Sequence, residues 1–104
     1  MNPPTLVVGE CQHNKPIAVC RLYYDAKQNA YIIGRLAIHK DYRHQGYGSS
    51  LIHSVICFVK NKPRIPLLLH AQCRVIPFYQ TLGFEPFGEI DYDEHTPHQW
   101  MKKD

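Results

Sequence analysis

The hydrophobic pattern of this chain changes period once, near Gly46, and that change limits the folds open to it. Up to residue 38 the apolar and β-branched residues come in short runs: residues 5–10 with Val7 and Val8, residues 17–24, and residues 30–38. Polar segments separate them, Asn14-Lys15-Pro16 and residues 25–29, and both read as turns. Three such runs on short connections predict an antiparallel meander. From Gly46 to about Lys60 the rule is different: Tyr47, Leu51, Val55 and Val59 recur every four residues, with Ile52 and Ile56 beside them. That is one face of an amphipathic helix, and Pro63 and Pro66 end it. Residues 67–71 form a continuous apolar run, the pattern of a strand buried on both faces. Residues 75–82 read as a short helix with Pro77 in its first turn and Gly83 ready to close it left-handed. Residues 84–92 and 98–101 read as the last two strands. The fold class expected is α/β of the α+β kind: a mixed, mostly antiparallel sheet with a central amphipathic helix and a second short one.

A chain of 104 residues is long enough for one core and too short for two, so residues 1–104 are read as a single domain. Its 12 basic and 9 acidic residues are scattered, which argues against a nucleic-acid partner, since such a partner calls for a dense basic stripe. None of the four cysteines sits in a C-x-x-C pair, so neither a disulfide scaffold nor a closed zinc site is expected. Cys11-x-His13 and His95-x-x-His98 are weak metal signals among seven histidines, and no metal is expected. No apolar run approaches the roughly 20 residues that span a bilayer. Met1 is followed by Asn-Pro-Pro rather than a leader pattern, and the expected compartment is the cytoplasm, with no membrane partner.

The chemistry concentrates in Arg43-His44-Gln45-Gly46-Tyr47-Gly48, between a strand and the long helix. The first amides of a helix have no internal acceptor, and the helix dipole adds partial positive charge there. Gly46 and Gly48 let the backbone turn tightly and approach a phosphate without a Cβ in the way, and Arg43 adds a mobile charge. Ser49 and Ser50 offer further donors. A P-loop would need a lysine after the second glycine, and a dinucleotide fingerprint would need a glycine where Leu51 stands. The spacing R-x-x-G-x-G matches neither motif. A glycine-rich helix start that holds no ligand is the alternative reading.

Leu36-Ala37-Ile38 followed by Asp41-Tyr42-Arg43-His44-Gln45-Gly46-Tyr47-Gly48 resembles the acetyl-coenzyme A signature of the GNAT superfamily of N-acetyltransferases. Pro77-Phe78-Tyr79-Gln80-Thr81-Leu82-Gly83-Phe84 is similar to a second segment of that family, and one helix and one strand fit between the two. The resemblance covers residues 5–101. Gly34-Arg35, Ala71-Gln72 and the stretch from Pro97-His98 to Met101 further resemble a bacterial subgroup of acetyltransferases.

The resemblance implies roles. Acetyl-CoA is the expected co-substrate. The strand with Leu36, Ala37 and Ile38 would splay from the strand after the helix, its backbone pairing with the pantetheine arm as an added strand would. Amides of His44, Gln45, Gly46, Tyr47, Gly48 and Ser49 would hold the pyrophosphate beside Arg43. Tyr79 holds the position of the acid that protonates the departing thiolate; a packing role beside Phe78 is the alternative. The acceptor is a small amine or a peptide amine that attacks the thioester directly. His98 is the candidate base, with Glu89 and Glu94 as alternatives, and the amide of Ile38 would serve the developing oxyanion. Arg35 and Gln72, with Arg74, are candidates for acceptor recognition. Cys73 suits a mixed disulfide with coenzyme A better than covalent catalysis. The family's first strand and first two helices have no counterpart before residue 5. From this a homodimer in which each chain covers the other's open face or edge is expected, and a non-catalytic coenzyme A-binding module stands as the alternative function.

Overall fold

The computed structural model describes residues 6–12, 15–61 and 65–104. Its elements run β1 (Leu6–Gln12), β2 (Lys15–Asp25), β3 (Ala30–Ile38), α1 (Tyr47–Lys60), β4 (Leu67–Gln72), α2 (Ile76–Thr81), β5 (Glu85–Asp93) and β6 (Thr96–Lys103). They form one six-stranded sheet in the order β1-β2-β3-β4-β6-β5. Only β3 and β4 run parallel, because α1 carries the chain from the end of one to the start of the other. The mixed α+β sheet with two helices is therefore as expected. Lys15 and Pro16, expected in a turn, instead begin β2 opposite Gln12 and Cys11, and Pro16 sits beside a register irregularity, where a missing N–H is tolerated.

Both helices cover one face of the sheet. Leu51, Ile52 and Val55 of α1 are fully buried there against Ile17, Cys20 and Leu22 of β2, Ile33 of β3, Leu67, Leu69 and Ala71 of β4, and Met101 of β6. Each of the buried Leu, Ile, Val and Met side chains contributes about 1.5–3 kcal/mol by leaving water. This burial holds the start of α1 against the end of β3. The opposite face carries a smaller cluster, Ala30, Ile32 and Leu68 under Tyr23 and Trp100. Gly83, at φ 96°, closes α2 left-handed as its position foretold. Glu94 and His95, at φ 51° and 67°, make the two-residue turn that joins β5 to β6. Among the described residues no helix is long and apolar enough to cross a membrane.

Two further irregularities, both bulges, break the regular register of the sheet among the described residues. Between Arg21↔Gly34 and Val19↔Ala37, β2 advances two residues while β3 advances three, so Arg35 and Leu36 together face Cys20. An extra residue bends a strand and strengthens its twist. On its other side β3 pairs with β4 only at Tyr31↔Leu67, Ile32↔Leu68 and Ile33↔Leu69. The two parallel strands therefore part where the bulge begins. The second bulge lies in β5: between Phe87↔Trp100 and Asp91↔His98 it advances four residues against two in β6, with Gly88 at φ 73°. Gln99 Nε2 donates to the Gly88 carbonyl at 2.8 Å and ties this bulge down.

Candidate functional site

The gap between β3 and β4 closes at Ile33 and Leu69 and opens toward Ile38 and Gln72. At its mouth the chain leaves β3 through a 3₁₀ turn, Lys40–Tyr42, and enters α1. Arg43 Nε donates to the Ile38 carbonyl at 3.2 Å and Gln45 Nε2 to the Asp41 carbonyl at 3.2 Å, tying the loop to itself. His44 lies at φ 63° and Gly46 at φ 86°, two left-handed residues within three positions. Successive amides arranged this way converge on one concavity. The first helical bond is from the Ser50 amide to the Gly46 carbonyl, at 3.0 Å. The amides of Tyr47, Gly48 and Ser49 therefore have no acceptor within the helix.

The backbone of this loop is unobstructed at Gly46. A Cβ placed on Gly46 would meet nothing within 4 Å, so the space in front of that backbone is open. A Cβ on Gly48 would lie 3.7 Å from both Ile38 Cδ1 and Phe78 Cζ. Gly48 thus sits where β3, α1 and α2 meet, between the loop and the gap. Phe78, expected only as a packing neighbour, is 37% exposed and walls that passage. Tyr42 and Tyr47 brace the loop from behind, their rings edge-to-face at 5.7 Å.

Tyr79 is half-buried on α2 and packs against the main core, edge-on to Phe78 at 5.1 Å and to Phe84 at 6.1 Å. Burial pushes its phenol above the usual value of 10.0, and the nearby Cys20 adds to the effect. Among the described residues its hydroxyl has no hydrogen-bond partner. Burial also raises the Cys20 thiol above 9.0. Both groups bind their protons more tightly folded than unfolded. Their contribution to stability is therefore complete below the ordinary thiol and phenol ranges and is lost as pH rises through the folded values. Chemical denaturation from pH 7 upward is expected to show stability falling above about pH 9, with Tyr79→Phe flattening the part of the fall above about pH 10. An unchanged slope in that variant would mean that burial does not hold the phenol protonated.

Of the other residues singled out, Leu36 and Ile38 pack their side chains on the helix face while Ala37 is exposed. Arg35 lies in the bulge of β3, and its side chain is outside the described residues. Gln72 ends β4 opposite His98, its Oε1 accepting from Arg74 Nε at 2.7 Å. Cys73 follows as a partly exposed free thiol. His98 Nδ1 donates to the Thr96 carbonyl at 2.9 Å, and its ring stacks on His70 at 4.7 Å. Glu89 lies within the β5 bulge and Glu94 in the exposed turn, so neither pairs with His98; Asp91 does. The sequence pattern did not mark His70 or Asp91. Gly88 inside a strand pattern was the one available signal of the bulge that brings Asp91 into place. Cys11 and His13 offer no described side chain, and among the described residues no three His, Cys, Asp or Glu converge on a metal position.

The six-stranded mixed sheet with its two helices is a fold shared with acetyltransferases of known structure. The acetyltransferase (GNAT) domain matches residues 3–86, and the chain belongs to that family. It is 28% identical over 107 residues to the uncharacterised protein YyaT of Bacillus subtilis, covering 91% of this chain and 67% of that one. Its fold is similar to that of Escherichia coli ElaA, with a TM-score of 0.88 at 22% identity over 96% of this chain and 68% of the other. A GNAT family acetyltransferase of Elizabethkingia anophelis with acetyl-CoA bound superposes with a TM-score of 0.74 at 20% identity, covering 90% and 72%. The chain thus spans about two thirds of the length of the first two relatives.

Proposed function

We propose that this chain transfers an acetyl group from acetyl-CoA to a primary amine by direct attack. The observation that carries the reading is the coincidence of the gap and the cradle: β3 leaves β4 after Ile33, and the left-handed pair His44 and Gly46 stands at the mouth of the opening. The amides from His44 to Ser49 hold the pyrophosphate, with Arg43 beside them. The backbone of Leu36, Ala37 and Ile38 takes the pantetheine arm as an extra strand. A backbone amide of β3 donates to the thioester oxygen as charge develops. Tyr79 delivers a proton to the departing sulfur, a role suited to a phenol that burial keeps neutral. The acceptor amine enters from the face opposite the helices, where an imidazole serves as base and Gln72 lines the approach.

The test is an acceptor screen with acetyl-CoA that follows free thiol, run beside calorimetry with coenzyme A. Thiol release dependent on a small or peptide amine supports the transferase. Coenzyme A binding without release over a broad amine panel would instead make the chain a non-catalytic coenzyme A module. A homodimer is part of the same reading, since β1 is an edge strand of the sheet and such edges seek a partner. Light scattering coupled to size exclusion is expected to give twice the monomer mass at micromolar concentration. A monomer at every concentration would dismiss the dimer.

A further inference from the structure

The open face of the sheet carries a row of rings and a carboxylate drawn from three strands. His70 of β4 is flanked by His98, stacked at 4.7 Å and 23°, and by Trp100 at 5.0 Å, both from β6. His70 Nε2 lies 2.7 Å from Asp91 Oδ1 on β5. A carboxylate only accepts, so Nε2 carries the hydrogen and the lone pair of His70 is on Nδ1. Among the described residues, the titratable groups facing His70 are Asp91 and His98, with Lys102 further along the face opposite Leu68.

We propose that His70, held and oriented by Asp91, is the group that takes the proton from the acceptor amine; this rests on the transferase reading above. Position is the first reason. Leu69 is the last β4 residue paired with β3, so His70 stands at the closed end of the gap. An arm anchored at the cradle and laid along β3 from residue 38 toward residue 34 advances about 13 Å, which brings its reacting end to that closed end. The His98 backbone pairs with Gln72, two residues nearer the mouth, with its ring stacked 4.7 Å from that of His70. Charge is the second reason. The imidazolium formed on His70 faces the Asp91 carboxylate, whereas the hydrogen bond from His98 goes to the neutral Thr96 carbonyl. A carboxylate that fixes the tautomer and faces the new cation is the arrangement that favours proton acceptance.

Every proton in the step has a destination. The acceptor ammonium gives one proton to His70 Nδ1, and its nitrogen lone pair forms the C–N bond to the thioester carbon. The C–S bond breaks, and the sulfur takes a proton from Tyr79. The second nitrogen proton passes to solvent and then restores the phenol. The products are an amide and a free thiol, and His70 returns its proton to water. Asp91 is a positioning residue and His98 packs the ring.

The experiment compares His70→Gln, Asp91→Asn and His98→Gln in kcat/KM against pH, with acetyl-CoA and an amine from the acceptor screen. His70→Gln is expected to lose about 10²-fold or more and to lack the acid limb of the wild-type profile. Asp91→Asn is expected to lose less in the same direction, and His98→Gln to lower the rate while keeping the limb. An acid limb retained in His70→Gln and abolished in His98→Gln would overturn the assignment and leave the transferase reading intact. A second readout needs no turnover: n-propylamine added to the coenzyme A complex is expected to move the His70 Nδ1 resonance in imidazole ¹⁵N spectra. No movement there would also overturn the assignment. Thiol release absent with every amine would overturn it together with the transferase reading.

Discussion

Gly46→Val is expected to weaken coenzyme A binding at least about tenfold, or 1.4 kcal/mol. Two effects act in the same direction. Gly46 lies at φ 86°, a left-handed conformation that an L side chain adopts at a cost of about 1–2 kcal/mol and a β-branched one least readily of all. The loop is thus pushed toward a conformation in which its amides no longer converge. If it holds its shape, the new side chain projects into the open space in front of the cradle, where no protein atom lies within 4 Å. The protein itself suffers no collision there, so the fold is expected to survive with modest loss of stability. Gly48→Ala serves as the structural comparison: that position has helical backbone, and a methyl would make ordinary contacts at 3.7 Å with Ile38 and Phe78. Calorimetry with coenzyme A, beside circular dichroism of each variant, decides the matter. A folded Gly46→Val protein with wild-type affinity would remove the cradle from the site.

Tyr79→Phe is expected to lower turnover by about 10²-fold or more, the usual contribution of a placed general acid, while coenzyme A affinity stays close to wild type. The ring and its edge-on contacts with Phe78 and Phe84 remain. The hydroxyl has no described hydrogen-bond partner whose loss would disturb the fold. The variant therefore separates the proton from the packing, and thiol release under conditions where chemistry limits the rate is the measurement. Wild-type turnover in a folded variant would return Tyr79 to the role of a core aromatic.

The sequence by itself determined the features that are local in the chain. The four-residue recurrence of Tyr47, Leu51, Val55 and Val59 needs nothing beyond helix geometry to select one face, and that face meets the core. The same holds for the left-handed start of that helix, since glycine alone takes φ 86° freely and Gly46 stands one residue before it. Gly83, Pro77 and the strand of residues 30–38 obey equally short-range rules. Tertiary structure decided everything that depends on register between strands distant in sequence. No local preference tells that β3 takes in one extra residue opposite Cys20, yet that bulge begins the gap. Nor does the alternation in β5 tell that two further residues are absorbed between Phe87 and Asp91. In a regular ladder Glu89 would pair with His98, and Glu89 was among the residues singled out from the sequence. The bulge puts Asp91 there, within hydrogen-bonding distance of His70, 21 residues earlier in the chain. The side-chain period of a strand is two, so each inserted residue reverses which side chains share a face. Only the packed sheet, with its helix-covered face already committed to Leu67, Leu69, Ala71 and Met101, settles where those insertions are accommodated.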